Sequence, residues 1–237
     1  MTKPRHYRIL NPNESYSFTK YFELPFSPKD ILLDLDCDLV RASLELPQSP
    51  LPPERIEALR IQIEQRLSVV SSRSELARRE TLITPILFDI CIHAQIELNI
   101  EYPVRVNNWL KGTLDYYLDD LGILIVEAKQ ADLDRGFLQL AVEMIAIDQW
   151  TMNSRPTLYG AVTNGEDWKF GTFDRQSRQI TEDRKLYRGE RRIGNIDANS
   201  RRDRYPTLLN PRIISALMAF YLQYIFYLNL GSAWVIA

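Results

Sequence analysis

The chain has 237 residues, of which 45% are hydrophobic and 25% charged, with a formal net charge of -2. That apolar content is enough for a full core, so disorder is excluded as the default and one domain with a small appendage is expected. The charge balance excludes a globally basic nucleic-acid binder, and any phosphate-binding surface has to be a local patch.

Met1 to Arg8 is basic, but no apolar run with a small-residue cleavage site follows, so no secretory signal is expected. From Asp30 to Leu46 the pattern alternates enough for one or two strands, with Leu32, Leu35, Leu39 and Val40 available for burial. Pro47 to Pro53 reads as a stiff linker, and Pro53-Glu54 opens a helix to about Val70 with Ile56, Leu59, Ile63 and Leu67 at helical spacing. Ser72-Arg73-Ser74-Glu75 reads as a capping box for a helix carrying Leu76, Ile83, Ile86, Leu87 and Ile90, which Pro85 should bend. One long or two short strands follow over Ile96 to Val106. The stretch Gly112 to Lys129 is then a hairpin turning at Asp119-Asp120-Leu121-Gly122. Arg135 to Trp150 has a helical apolar stripe, and Thr157–Val162 with Trp168–Phe173 form two strands around the turn signal Thr163-Asn164-Gly165.

From Asp174 to Arg204 apolar residues thin out, and ten Arg/Lys stand against six Asp/Glu. Arg184-Lys185, Arg191-Arg192 and Arg201-Arg202 make this the candidate phosphate-facing segment, the plain alternative being a solvated loop of mixed charge. Ile213 to Leu230 carries no charge over eighteen residues. Ser215, Gln223, Asn229 and three tyrosines dilute it, which favours a core or dimer helix over a membrane anchor. The expected division is an accessory segment 1–53, a core 54–174, and a basic segment with an apolar helix over 175–237.

The chemistry concentrates in the Gly112 to Lys129 hairpin. Asp115 and Glu127 should lie on neighbouring strands, and Glu127 and Lys129, two apart, point to one face. Carboxylates in such an apolar approach call for compensation, and a hard cation held by oxygen ligands would supply it. Taken alone, Asp-turn-Glu-x-Lys is also a common surface hairpin. Glu75 with Arg79 is equally a surface i, i+4 ion pair, and Gln139 equally a plain polar helix position. His6 and His93 are isolated, and the two cysteines, Cys37 and Cys91, have neither metal-ligand spacing nor the density of a disulfide scaffold. They suit a reducing, cytoplasmic setting.

A helix with Glu75, a strand pair with Asp115 and Glu127-Ala128-Lys129, then a helix with Gln139: this order resembles the PD-(D/E)XK nuclease superfamily. Glu75, Arg79, Ile83 and Pro85, then Gly112-Thr113-Leu114-Asp115-Tyr116, then Tyr159 to Phe170, are similar to the nuclease domain at the N-terminus of type I restriction R subunits. Glu143 departs from that pattern, standing where the family often has a tyrosine four residues after the glutamine.

The resemblance implies an α/β fold, a mixed sheet flanked by helices with a restriction-endonuclease-like core, an N-terminal accessory segment and a C-terminal apolar helix. It further implies Mg²⁺ or Mn²⁺ held by Asp115, Glu127, the Ala128 carbonyl and Glu75, with Lys129 orienting the attacking water and Gln139 steadying it or a phosphate. The expected function is a metal-dependent DNA endonuclease of restriction, defence or DNA processing, and the alternative is a catalytically silent nuclease-fold DNA-binding or scaffold subunit. Partners expected are DNA, a second copy through the C-terminal helix, and a separate motor or specificity subunit, because the chain has no phosphate-binding Gly-x-x-x-x-Gly-Lys-Ser/Thr loop.

Overall fold

The computed structural model describes residues 8–46, 52–71, 74–118, 123–127, 132–151 and 155–188, with the backbone alone for 53 and 123–127. The expected turn at Asp119 to Gly122, the residues Ala128 and Lys129, and the whole of 189–237 lie outside them, including Arg191, Arg192, Arg201, Arg202 and the apolar segment from Ile213.

Six α-helices are described: α1 (Phe18–Glu23), α2 (Pro28–Asp34), α3 (Pro53–Leu67), α4 (Glu75–Arg78), α5 (Thr84–Ala94) and α6 (Leu133–Trp150). The strands are β1 (Asp38–Ala42), β2 (Asn99–Arg105), β3 (Lys111–Leu118), β4 (Ile123–Glu127), β5 (Thr157–Thr163), β6 (Asp167–Asp174), β7 (Gln179–Asp183) and β8 (Tyr187–Arg188). They form one mixed sheet in the order β1-β7-β6-β5-β4-β3-β2, with β8 pairing β6. β1–β7 and β4–β5 are parallel and the other pairs antiparallel. The molecule is therefore a mixed α/β structure. Among the described residues no helix is long and apolar enough to cross a membrane.

Local chemistry explains where the elements begin. Asp132 caps α6 by accepting from the Arg135 amide, and the Ser74 hydroxyl caps α4 by accepting from the Ala77 amide. The cap thus falls at Ser74, two residues after the start of the expected box, and Glu75 is the first helical residue instead of the third. Between α4 and α5 a π-helical turn, Arg79–Ile83, takes up the register change ahead of Pro85, whose missing N–H cannot continue an α-helical ladder. After β5, the Asn164 side chain accepts from the Glu166 and Asp167 amides and Gly165 takes φ 94°, so the expected hairpin turn forms.

Two expectations near the N-terminus are corrected. Residues 28–34 are helical, since Pro28 at the helix start and Asp30 in the first turn outweigh the apparent alternation. The strand is confined to Asp38–Ala42, where Val40 is exposed while Leu32 and Leu35 are buried. Asp174 to Arg188 is not a plain solvated loop either. It supplies β7, between β1 and β6, with Ile180, Glu182 and Asp183 buried.

The sheet is covered on both faces. α3, the π turn and α5 bury Leu59, Ile63, Leu82, Ile86 and Ile90 against Tyr116, Ala161, Trp168 and Phe170. On the other face α6 packs on the sheet and against α1 and α2, α1 itself reaching β3 through Phe18, and Gly136 through Ile147 are buried without interruption. The described part of the accessory segment is therefore packed into the main core. α6 sits low because Gly160 and Gly171 pair with each other on β5 and β6. A Cβ at Gly160 would come 2.6 Å from Leu140, and one at Gly171 2.5 Å from Phe137.

Candidate metal centre

The expected site draws on α4, β3, β4 and α6. β3 and β4 pair antiparallel as Tyr116↔Ile125, Tyr117↔Leu124 and Leu118↔Ile123, so the hairpin carrying Asp115 and Glu127 exists as read from the sequence. Glu127 is the last residue of β4 and pairs in parallel with Thr163 at the end of β5. β4, β5 and β7 run in the same direction, and their C-terminal ends share one end of the sheet. Arg184 and Lys185, both exposed, follow β7 at that end. Three strand spacings separate β7 from β4, about 14 Å. Lys185 lies 5.9 Å over the Tyr187 ring.

Asp115 is half-buried in a strand whose neighbours Leu114, Tyr116 and Tyr117 are fully buried. The β2–β3 ladder is irregular here: it pairs Ile100↔Tyr116 and resumes at Tyr102↔Leu114, skipping Glu101 and Asp115. Glu101 takes the left-handed φ of 54°. Non-glycine residues hold that conformation only where their surroundings impose it. Arg79 joins the two strands here, its guanidinium 2.6 Å from the Glu101 carboxylate, donating to the Tyr116 hydroxyl at 3.1 Å and stacking 5.1 Å over that ring. The Tyr116 hydroxyl also meets Thr84 Oγ1 at 2.8 Å. Arg79, expected as the ion partner of Glu75, is thereby tied to β2 and β3. Glu75 itself is exposed on the first turn of α4.

Gln139 and Glu143 lie one turn apart in the buried stretch of α6. Gln139 is 4% exposed and Glu143 0%. Gln139 Nε2 donates to Glu143 Oε1 at 2.9 Å, while Glu143 Oε2 is buried with no hydrogen-bond partner among the described residues. Burial first, and then the nearby negative charge of Asp115, hold the Glu143 carboxyl well above the ordinary range, against the opposing Gln139 hydrogen bond.

No family model and no curated protein matches the chain. The site has to be read from its own residues.

Of the sequence-derived residues, the described structure places Asp115 half-buried on β3 and Gln139 buried on α6, where it bonds Glu143. It puts Glu127 at the end of the adjacent strand and Glu75 on the opposite helical layer. Among the described residues no group of three or more histidine, cysteine or acidic side chains is placed to hold a metal ion. The Glu127 side chain, the Ala128 carbonyl and Lys129 lie outside them. What would suit a hard cation is the oxygen chemistry of half-buried Asp115, since a carboxylate only accepts hydrogen bonds and prefers oxygen-seeking cations. Sequence reasoning recorded Glu143 merely as a departure from a family pattern. The signal that would have found it is a lone acid within an apolar run, Phe137 to Ile147, whose other polar residue stands one helical turn before it.

Proposed function

We propose that the protein is a metal-dependent hydrolase of DNA phosphodiester bonds with a restriction-endonuclease-like core. The observation that carries this reading is the antiparallel pairing of β3 with β4, which sets half-buried Asp115 and Glu127 on neighbouring strands, where a divalent cation would offset the desolvation of carboxylates. The order of elements supports it: a helix, the antiparallel strands β2, β3 and β4, the crossing helix α6, and β5 parallel to β4. This succession accords with the resemblance to PD-(D/E)XK nucleases.

Asp115 and Glu127, with the Ala128 carbonyl and Glu75, would hold Mg²⁺ or Mn²⁺. Bound there, such an ion polarises a phosphoryl oxygen and lowers the pKa of a coordinated water. Lys129 would hold the attacking water by a hydrogen bond and set positive charge beside the phosphoryl oxygens as they gain negative charge. Gln139 would act one step removed, fixing Glu143 through the 2.9 Å hydrogen bond. Arg184 and Lys185 leave the sheet at the end where β4 terminates, and would attract the DNA backbone together with Arg191, Arg192, Arg201 and Arg202.

The test is incubation of pure protein with single-stranded, duplex and branched DNA in Mg²⁺ or Mn²⁺. Cleavage is expected in at least one combination. It should fall by at least about a thousandfold in Asp115→Ala and Lys129→Ala, with the circular dichroism spectrum unchanged. If Asp115→Ala cleaves as well as the wild type, the assigned site is wrong. Retention of DNA without cleavage under any condition would identify a silent nuclease-fold subunit instead.

A further inference from the structure

We propose that Arg79 is a positioning residue for Asp115: by gripping Glu101 and Tyr116 together it fixes a half-turn of the β2–β3 ribbon that has Asp115 at its pivot. The inference rests on the reading of Asp115 as a metal ligand and deepens it, naming the side chains that set where that carboxylate stands.

Side chains of a regular strand alternate between the two faces of its sheet. β5 and β6 keep that rule: Leu158, Val162 and Phe173 belong to the core on the α6 side, while Ala161, Trp168 and Phe170 belong to the core on the α5 side. β3 breaks it at a single residue. Leu114 joins the α6 core and Tyr116, two positions on, joins the α5 core, after which Tyr117 and Leu118 alternate again. β2 turns over opposite the same point, since Leu98 packs on the α5 core but Tyr102 and Val104 on the α6 core. The register runs unshifted across the change, from Ile100↔Tyr116 to Tyr102↔Leu114, and the residues between are Glu101 and Asp115. Glu101 takes up the turn with its left-handed φ of 54°. Arg79 meets both strands at this point, 2.6 Å from the Glu101 carboxylate and donating to the Tyr116 hydroxyl at 3.1 Å, with 18% of its side chain exposed. Thr84 Oγ1, from the start of α5, lies 2.8 Å from the same hydroxyl. Left-handed non-glycine residues and π-helical turns are both sparse and both gather at functional sites; here Glu101 is the one, opposite Asp115, and the turn that carries Arg79 is the other. A planar guanidinium can hold a carboxylate and lie over a ring at once, a task for which a compact ammonium is ill suited.

Isotope labelling of the aspartate carboxyls of the full chain gives an Asp115 resonance, assigned by its loss in Asp115→Asn. It should be recorded in the wild type, Arg79→Met, Glu101→Gly and the double variant, beside Tm and the kcat and KM for DNA cleavage in Mn²⁺. Glycine accepts a left-handed φ without strain, so Glu101→Gly removes the carboxylate and relieves the backbone in one step. The expected result is that the Asp115 resonance is displaced in both single variants, and that kcat falls by about tenfold to a hundredfold while KM for DNA keeps its wild-type value. The double variant should be no worse than either single one, because both remove the same tether. Arg79→Lys should recover only part of kcat.

If Arg79→Met lowers Tm but, below its transition, keeps the wild-type Asp115 resonance and kcat, Arg79 is structural only, and the inference falls while the proposed site stands. Cleavage by Asp115→Asn at the wild-type rate overturns the reading of the site and the inference with it. Should the wild type cleave no DNA, the nuclease reading fails and the Asp115 resonance decides the inference by itself. Should Arg79→Met fail to fold, Glu101→Gly, which leaves Arg79 in place, decides it by the same two readouts.

Discussion

Lys169 and Glu143 show two ways of placing an ionisable group away from water. Lys169 Nζ lies 2.8 Å from Glu182 Oε1 and also bonds Asp134, while Glu182 Oε2 accepts from Arg41 at 2.6 Å. Glu182 is buried, so removing the ammonium leaves a dry carboxylate with a single cationic partner. Lys169→Met should therefore destabilise the fold by about 2–4 kcal/mol in urea titrations, a cost typical of breaking a buried pair. A neutral outcome would mean that Arg41 alone suffices. The Asp134 carboxyl is held below its usual range, chiefly by the hydrogen bond from Lys169. Its stabilisation is present above the ordinary aspartate pKa and is lost as pH falls through the lowered folded value. The Tm gap between wild type and Asp134→Asn should thus be widest near neutrality and close as pH falls below about 4. A gap that widens in acid would contradict the pairing. Glu143 differs because its second oxygen lacks such a partner among the described residues. Asp115, Glu127, Lys129 and Gln139 were singled out by spacing and resemblance, and of these the structure describes the side chains of Asp115 and Gln139. The burial of Glu143 was signalled only by its place as a lone acid in the apolar run Phe137 to Ile147, and was settled by the packing of α6 in the core.

At the level of elements, hydrophobic periodicity and turn chemistry identified α3, α6, the β3–β4 pair and the β5–β6 hairpin. The irregularities that shape the site escaped it. The skipped ladder position at Glu101 and Asp115 depends on Arg79, which arrives from a π turn more than one element away. The seat of α6 depends on Gly160 and Gly171 being ladder partners, which neither glycine signals alone. A Cβ at Gly171 would meet both the Phe137 ring and the Thr181 carbonyl oxygen at 3.1 Å, and neither neighbour yields easily. Gly171→Ala should accordingly cost about 1–3 kcal/mol, the usual penalty for overpacking, with an unchanged denaturant slope. Wild-type stability in this variant would show that α6 can rise off the sheet without loss.

The molecule as a whole is closed by contacts between distant parts of the chain. β1 pairs with β7 from Asp38↔Gln179 to Ala42↔Asp183, and α1 and α2 pack against α6. Removing residues 1–46 would strip an edge strand from β7 and uncover apolar side chains of α6. The truncated chain should be insoluble, or bind a hydrophobic dye and melt without cooperativity. A soluble fragment with a sharp transition would show instead that the core of 54–174 stands alone.

The sequence by itself determined the kinds of element, most of their order along the chain, the hairpin that carries Asp115 and Glu127, and the residue types suited to hard-cation chemistry. These are local properties, written in periods of two and 3.6 residues and in the preferences of turns and caps. Only the tertiary structure decided that an apparent appendage completes the core, that Asp174 to Arg188 contributes strands to the sheet, and that Gln139 and Glu143 are buried. Each of these depends on which distant surfaces meet and exclude water, and that is a property of the assembled sheet and helices rather than of any window of sequence.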